Sequence, residues 1–225
     1  MHSSPRHRRR RQRIEALLDA GLALLAEGGL DGLTVARLAD RVDLTPGALY
    51  RYYPSKDALL AALLARVLEE WSAAFDALYA AADGADPLVA PIAVLRGYVR
   101  LALDRPLPFG LLAVTLADPR ILVADPSDAV HVPALQALVD RLAGALAEAV
   151  PGDPDPAAST RALVMGVTGV LSAAKLRRFG PTVYDPAPLA HHLVHTVLRG
   201  LGASSSALTA ATETAEALLD RGGLP

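Results

Sequence analysis

Residues 29–60, GLDGLTVARLADRVDLTPGALYRYYPSKDALL, contain the start and stop signals of two short helices and lead into a longer one. Thr34 and Thr45 each precede a segment of apolar residues at helical spacing. At such positions a hydroxyl accepts a hydrogen bond from an unpaired amide of the first turn. Pro46 follows at the first helical position, where its missing N–H costs nothing. Pro54 then ends the second short helix.

An earlier helix is predicted from about Gln12 to Glu27, because apolar residues recur there at three- and four-residue spacing. The two short helices that follow are joined by a tight turn at Asp43, which predicts a helix-turn-helix. Its last helix leaves small, hydroxyl, aromatic and cationic side chains on or near the outside: Thr45, Pro46, Gly47, Ala48, Tyr50, Arg51 and Tyr52. These residue types suit a helix that enters a DNA groove. The alternative is a three-helix bundle with surface Tyr and Arg.

The same stretch resembles the N-terminal DNA-binding domain of TetR-type (TetR/AcrR) transcriptional regulators. The resemblance is dense from about residue 12 to 64, and its most specific part reads LYRYYPSK at residues 49–56. It implies an all-α protein with a helix-turn-helix DNA-binding domain over residues 12–56. It further implies a helical bundle over residues 57–225 that binds an effector and forms the dimer.

The resemblance also implies roles for individual residues. Thr34 and Arg37 are expected to contact a phosphate or a base edge, and the leading edge of the recognition helix is formed by Thr45, Pro46, Gly47 and Ala48. Tyr50 and Tyr52 match positions that reach the DNA backbone, and Lys56 matches a phosphate-binding lysine. With Ala48 in place of a common hydrogen-bonding residue, we expect Arg37, Arg51, Thr45 and contacts with thymine methyls to carry specificity, assisted by DNA shape.

Asp43 is a second departure, because the family usually has glycine in this turn. Aspartate tolerates the left-handed backbone conformation better than most residues, so we expect the turn to form.

Charge is divided unevenly along the chain. Residues 1–56 hold 10 Lys/Arg against 6 Asp/Glu, whereas residues 57–225 hold 12 against 18. Six of the eight residues from Arg6 to Arg13 are arginine. We interpret residues 1–11 as a basic, flexible arm in which Arg8, Arg9 and Arg10 contact DNA, because such arms in related regulators lie in a minor groove. The alternative is a solvated tail without a partner.

Composition favours a helical protein and excludes several classes. Hydrophobic residues make up 52% and aromatic residues 4%, so the apolar mass is Ala, Leu and Val, and global disorder is excluded. The absence of cysteine excludes disulfides, thiolate metal sites and cysteine nucleophiles. The longest uncharged stretches have about 13 residues, where a membrane span needs roughly 20. The basic N-terminus also lacks the apolar run of a secretory signal.

Beyond the helix-turn-helix domain, proline and glycine divide the chain into further helices. They are predicted over residues 55–82, 87–104, 107–117, 131–149, 157–179, 187–201 and 207–221. Aromatic and Met side chains on these helices are candidates for an effector pocket, with plain core as the alternative: Trp71, Phe75, Tyr79, Tyr98, Phe109 and Met165.

A smooth apolar surface with small residues predicts an isologous dimer interface. The resemblance places it on the last two large helices, 157–179 and 187–201. The predicted interface residues are Met165, Gly166, Gly169, Val170, Ala173, Leu193 and Val197.

Neither a metal site nor a catalytic site is predicted. His191 and His195 stand at i, i+4 spacing with His192 between them, but no Glu or Cys lies nearby, so surface or interface histidines are favoured over metal ligands. Phosphate-loop, nucleophile-elbow and dinucleotide motifs are absent, so no enzyme activity and no cofactor are expected.

These features predict a homodimeric DNA-binding repressor of the bacterial cytoplasm and nucleoid. It is expected to bind a near-palindromic double-stranded operator and to be released by a small apolar ligand, without membrane association. Two alternatives stay open at this point. The first is a regulator of the same fold that answers to a protein partner or to no effector, and the second is a helical small-molecule-binding protein or enzyme.

Overall fold

The structure, a computed structural model, describes residues 5–117, 131–180 and 184–222. Every regular element in these ranges is helical. The α-helices are α1 (Pro5–Gly32), α2 (Val35–Arg41), α3 (Pro46–Leu49), α4 (Lys56–Ala81), α5 (Val89–Asp104), α6 (Pro106–Ala117), α7 (His131–Ala149), α8 (Pro156–Ser172), α9 (Pro186–Gly200) and α10 (Ser205–Gly222), and a 3-10 helix, Ala173–Phe179, follows α8. The all-α prediction is confirmed. No helix among the described residues is both long enough and apolar enough to span a membrane.

Helix starts follow the local signals in the chain. Thr34 and Thr45 cap α2 and α3, each accepting a hydrogen bond from the amide three residues on, at 3.2 Å in both cases. The Ser55 hydroxyl does the same for α4 at 3.0 Å, and the Asp155 carboxylate caps α8 at 2.9 Å. From α4 onward the predicted helices begin within two residues of their predicted starts. The predicted helix 157–179 is α-helical only to Ser172 and continues as the 3-10 helix.

The start of the first helix differs from the prediction. It begins at Pro5 rather than near Gln12, so residues 5–11 are helical and not a flexible arm, while residues 1–4 lie outside the described ranges. Arginine and glutamine are good helix formers, and proline is favoured in a first turn, so this segment extends α1 without a break. The helical conformation is interrupted at Gly28 and Gly29, directly after Glu27, where the first helix is predicted to end. Gly29 has φ 60° and ψ −155°, which only glycine adopts readily.

The described residues pack as two compact units. The first contains 5–67, 107–117 and 131, and the second contains 68–106, 132–180 and 184–222. The boundary after residue 56 stays a prediction, while the two compact units divide about three turns further along α4, after Val67. Close contact between α1 and α4 explains the difference, because a methyl group at Gly21 would lie only 3.2 Å from the side chain of Leu63. Arg66 of α4 also pairs with Glu15, and with Asp19 at 3.3 Å.

In the first unit, leucine side chains from α1 to α4 make the core beneath the helix-turn-helix. The fully or almost fully buried members are Leu17, Leu24, Leu33, Leu38, Leu49, Leu59 and Leu63. Burial of a leucine stabilises a fold by about 1.5–3 kcal/mol, so this cluster contributes much of the stability of the unit.

In the second unit, α5 is the central helix and contacts α8, α9 and α10. It is buried on most of its circumference, including Ile92, Leu95 and Leu101. A helix that is apolar over most of its circumference needs neighbours on most sides, and α8, α9 and α10 supply them.

Asp43, in the turn between α2 and α3, has a left-handed backbone with φ 53°. Asp43 thus adopts the left-handed conformation that an aspartate is expected to tolerate. We predict that Asp43→Val lowers the free energy of unfolding by about 1–2 kcal/mol, because a β-branched side chain clashes in this conformation. Urea denaturation measures the loss, with Asp40→Val as the control on the exposed side of α2. Equal stability of the two variants would contradict the prediction.

Candidate nucleic-acid interface and aromatic cluster

Helices α2 and α3 form the predicted helix-turn-helix. The turn is closed by the Leu44 amide, which donates to the Ala39 carbonyl at 2.8 Å. Leu38 of α2 and Leu49 of α3 are buried beneath it. The outward side of α3 is thereby set by two local caps and two buried leucines.

The residues predicted to contact DNA are mostly exposed on this surface. Thr34, Arg37, Thr45, Pro46, Gly47, Tyr50 and Arg51 are exposed, while Ala48, Tyr52 and Lys56 are half-buried. Tyr50 keeps 49% of its surface in solvent, which is unusual for a large aromatic side chain. Gly47 has no atom within 4 Å of the position that a Cβ would occupy, so the space above α3 is open.

Arg37 has a second set of contacts that the sequence did not indicate. Its guanidinium donates to the Gly32 carbonyl at 2.9 Å and pairs with Glu27 at 3.3 Å. Arg41 binds the other oxygen of the same carboxylate at 2.7 Å. Arg37 thus holds the end of α1 against α2, which makes it a structural residue of the domain in addition to a candidate DNA contact.

The arginines of α1 lie on the exposed surface of the same unit. Arg8, Arg9 and Arg10 are exposed, and the Arg10 guanidinium carbon lies 6.0 Å from the centre of the Tyr52 ring. The Arg13 guanidinium donates to the Val42 carbonyl at 3.3 Å. These contacts join the basic segment to the helix-turn-helix. The sequence pattern did not predict this connection.

In the second unit, part of the predicted pocket set forms an aromatic cluster. Trp71 is 2% exposed, and its ring centre lies 5.5 Å from that of Tyr98 and 6.4 Å from that of Phe75. Tyr79, further along α4, lies under the Arg141 guanidinium at 4.1 Å, and Arg141 pairs with Asp76. Burial raises the pKa of Tyr79 and of Tyr98 to about 12, so both phenols are neutral near pH 7.

Two threonines on the buried side of α8 were missed. The Thr168 hydroxyl donates to the Val164 carbonyl at 2.7 Å, so the Tyr98 hydroxyl donates to Thr168 at 2.7 Å. Thr160 is fully buried. Within the described part of the chain, the Thr160 hydroxyl, the Tyr79 hydroxyl and the Trp71 indole N–H have no hydrogen-bond partner. Two threonines eight residues apart, in phase with Leu163 and Leu171, were the signal in the sequence.

Two members of the predicted pocket do not belong to this cluster. Met165 lies on the outside of α8, is 53% exposed and stands apart from the aromatic cluster. Phe109 is buried but belongs to the first unit. Helical periodicity assigns residues to faces without stating which face meets which neighbour, so the sequence could not separate these two residues from the cluster.

The predicted interface residues lie on α8, at Ala173 directly after it, and on α9. Met165 and Gly169 are exposed, and Val170, Ala173, Leu193 and Val197 are half-buried. Gly166 contributes to packing within the protomer. A Cβ at this position would lie 2.8 Å from Leu193, so the glycine allows α8 and α9 to approach closely. Leu189 of α9 is 43% exposed and adds to the apolar surface.

The three histidines of α9 have separate neighbours. Burial, followed by the charge of Arg96, lowers the pKa of His191 to about 4. Burial also lowers the pKa of His195, whose Nε2 lies 2.9 Å from the Thr212 hydroxyl. The described residues contain no group of three or more His, Asp or Glu side chains arranged to hold a metal ion. A cleft of about 340 Å³ is lined by His191, five charged residues and four aliphatic residues, and by no member of the aromatic cluster.

Comparison with known proteins agrees with this arrangement. Residues 17–63 match the family model for bacterial regulatory proteins of the tetR family, and residues 92–197 match that for the tetracyclin repressor-like C-terminal domain. The HTH-type transcriptional repressor KstR of Rhodococcus jostii is 37% identical over 140 residues, which cover 62% of this chain and 60% of that protein. The aligned region thus spans less than two thirds of this relative.

Solved structures show the same fold over most of their length. A transcriptional regulator from Rhodococcus sp. Rha1 superposes with a TM-score of 0.65 at 25% identity, covering 83% of this chain and 96% of that one. SmeT, the repressor of a Stenotrophomonas maltophilia multidrug efflux pump, gives 0.63 at 21% identity, covering 86% and 95%. With both halves of the family pattern present in the expected order, this chain belongs to the TetR family of bacterial regulatory proteins.

Proposed function

We propose that this chain is a homodimeric transcriptional repressor that binds a near-palindromic operator and is released by a small, mainly apolar ligand. The observation that carries the proposal is the exposed face of α3 in a member of this family. Small residues and open space at Gly47 allow close approach to a DNA groove, and Tyr50 and Arg51 project into solvent beside it.

The proposed DNA contacts divide into two kinds. Residues of α3 enter the major groove, and flanking residues of α1, α2 and α4 bind phosphates. The full set is Arg8, Arg9, Arg10, Thr34, Arg37, Thr45, Pro46, Gly47, Ala48, Tyr50, Arg51, Tyr52 and Lys56. Arg37 has to share its donors between Glu27 and DNA, so we assign specificity first to Thr45 and Arg51.

Dimerisation is proposed through α8 and α9. The exposed Met165, Gly169 and Leu189 supply an apolar surface on two neighbouring helices, which suits an isologous four-helix contact. A dimer holds two α3 helices on two half-sites, so the operator would repeat the two-fold symmetry of the protein.

The second unit is proposed to bind the effector at the aromatic cluster. An unpartnered buried donor costs about 1–3 kcal/mol, and the Trp71 indole N–H and the Thr160 hydroxyl have no partner among the described residues. A ligand oxygen near either group would remove that cost. This supports an apolar molecule that carries one or two hydrogen-bonding groups.

Helix α4 supplies a direct covalent connection for release. It begins at Lys56 in the first unit and ends at Ala81 in the second, where it carries Trp71 and Phe75. A ligand that displaces the second half of α4 would displace its first turn as well. A coupling free energy of about 1–3 kcal/mol would lower operator affinity roughly 5- to 150-fold. A repressor of this kind acts in the cytoplasm, on the nucleoid.

The test is enrichment of genomic fragments by the full-length protein at near-physiological salt, beside the Tyr50→Ala/Arg51→Ala variant. We expect the wild type to recover a short near-palindromic site and the variant to recover none. Both substituted side chains are exposed, so the variant should keep its helical content. Failure of the wild type to enrich any site over the variant would refute the proposal.

A further inference from the structure

The N-terminal half of α1 forms a concave basic surface with the helix-turn-helix. A groove of about 630 Å³ is lined by Arg9, Arg10, Gln12, Arg13, Ala16 and Tyr52. We call it the arginine groove. All of its residues except Tyr52 are exposed, and Tyr52 lies three residues beyond the end of α3.

Two contacts join arginines of the groove to the helix-turn-helix and the residues that follow it. Arg13 donates to the carbonyl of Val42, next to the turn of the helix-turn-helix, and Arg10 lies beside the Tyr52 ring. Arg9 and Arg10 have no carboxylate partner within the described part of the chain, in contrast to Arg37, Arg41 and Arg66. Their positive charges therefore face solvent next to the proposed DNA-reading surface.

A helical segment cannot bind DNA as a flexible arm does. An α-helix with its side chains is about 10–12 Å wide, whereas the minor groove of B-DNA is about 6 Å wide. Residues 5–13 are helical, so this segment is too wide to lie within the minor groove, where we expected it to bind. It is suited instead to lie along a DNA strand, where guanidinium groups bind phosphate oxygens in pairs.

We propose that the arginine groove binds backbone phosphates that flank the bases read by α3, with Arg9 and Arg10 as the phosphate ligands and Arg13 as a positioning residue. This inference rests on the proposed function, since it extends the same DNA interface. The groove adds affinity that is independent of base sequence. It also makes the N-terminal half of α1 a rigid part of the DNA-binding domain and not a flexible arm.

The experiment measures binding of the full-length protein to its recovered operator, and to a scrambled duplex of equal length, over a series of salt concentrations. For Arg9→Gln/Arg10→Gln we expect operator and scrambled affinities to fall by the same factor, about tenfold or more. Loss of two phosphate contacts in each protomer should reduce the slope of log affinity against log salt by roughly 3–4. Arg177→Gln/Arg178→Gln removes the same charge from an exposed pair in the second unit and should leave the slope unchanged.

Gln12→Pro distinguishes a rigid helix from a flexible arm. It keeps every arginine but breaks α1 before Arg13, at a position where proline can start the remaining helix. We expect it to weaken binding as much as the double arginine variant does. Wild-type affinity of Gln12→Pro, an unchanged salt slope of Arg9→Gln/Arg10→Gln, or loss of operator binding alone would each overturn the inference. Absence of any operator binding by the wild type would instead refute the proposed function.

Discussion

Gly47→Glu is expected to abolish operator binding without unfolding the protein. Gly47 lies in the first turn of α3, is exposed and has no atom within 4 Å of the point where a Cβ would stand, so a side chain fits the free protein. Glycine is a poor helix residue, and an acidic side chain is favoured in a first helical turn, so stability should stay equal or rise slightly. On DNA, the same carboxylate would meet the groove and its phosphates.

The expected loss is about 100-fold or more. Like charges brought together at an interface cost several kcal/mol, and about 2.8 kcal/mol corresponds to a factor of 100. Fluorescence anisotropy with the operator duplex measures it. The control is Gly144→Glu, which introduces the same residue at an exposed glycine of α7 with equally open space. Equal affinity of the two variants would mean that α3 does not face DNA.

Gly169→Glu is expected to convert the dimer into monomers. Gly169 is exposed on α8, and no atom of the protomer lies within 4 Å of the Cβ position, so the substitution does not disturb the protomer. In an isologous interface, each partner contributes the same carboxylate to an apolar contact. Burial of an unpaired charge costs several kcal/mol, which raises the dimer dissociation constant by about 100-fold or more.

Sedimentation velocity measures this change, and operator binding should fall with it because a monomer engages only one half-site. Gly152→Glu, on the loop between α7 and α8, is the matched control at an exposed and open position. Gly166 is unsuitable for this test, since a side chain there would collide with Leu193 within the protomer. An unchanged dimer in Gly169→Glu would exclude the outer side of α8 as the interface.

Much of the helix-turn-helix domain could be predicted from the sequence, because the signals that start and stop its helices are local. Thr34 and Thr45 cap the helices that follow them by hydrogen bonds to amides three residues away, and both caps are present at 3.2 Å. Asp43 adopts the left-handed turn that its residue type tolerates. Each of these features depends on a few neighbouring residues, so the sequence contains the whole cause.

The second unit was predictable in its helices but not in its contacts. Trp71, Phe75 and Tyr98 come together as an aromatic cluster, whereas Met165 turns outward. Thr168 meets Tyr98 across 70 residues of chain. Such contacts depend on how α4, α5 and α8 pack, and helical periodicity carries no information about the partner of a face.

The sequence by itself determined the helices, the caps, the turn and the family, because each follows from residues close together in the chain or from a contiguous motif. Only the tertiary structure decided which side chains are engaged in contacts within the protein and which are left to contact DNA or a second protomer. It engaged Arg37 with Gly32 and Glu27, used Gly166 to bring α8 against α9, and joined Arg10 and Arg13 to the helix-turn-helix. These contacts join residues from separate helices or loops, and their geometry exists only once the helices have packed.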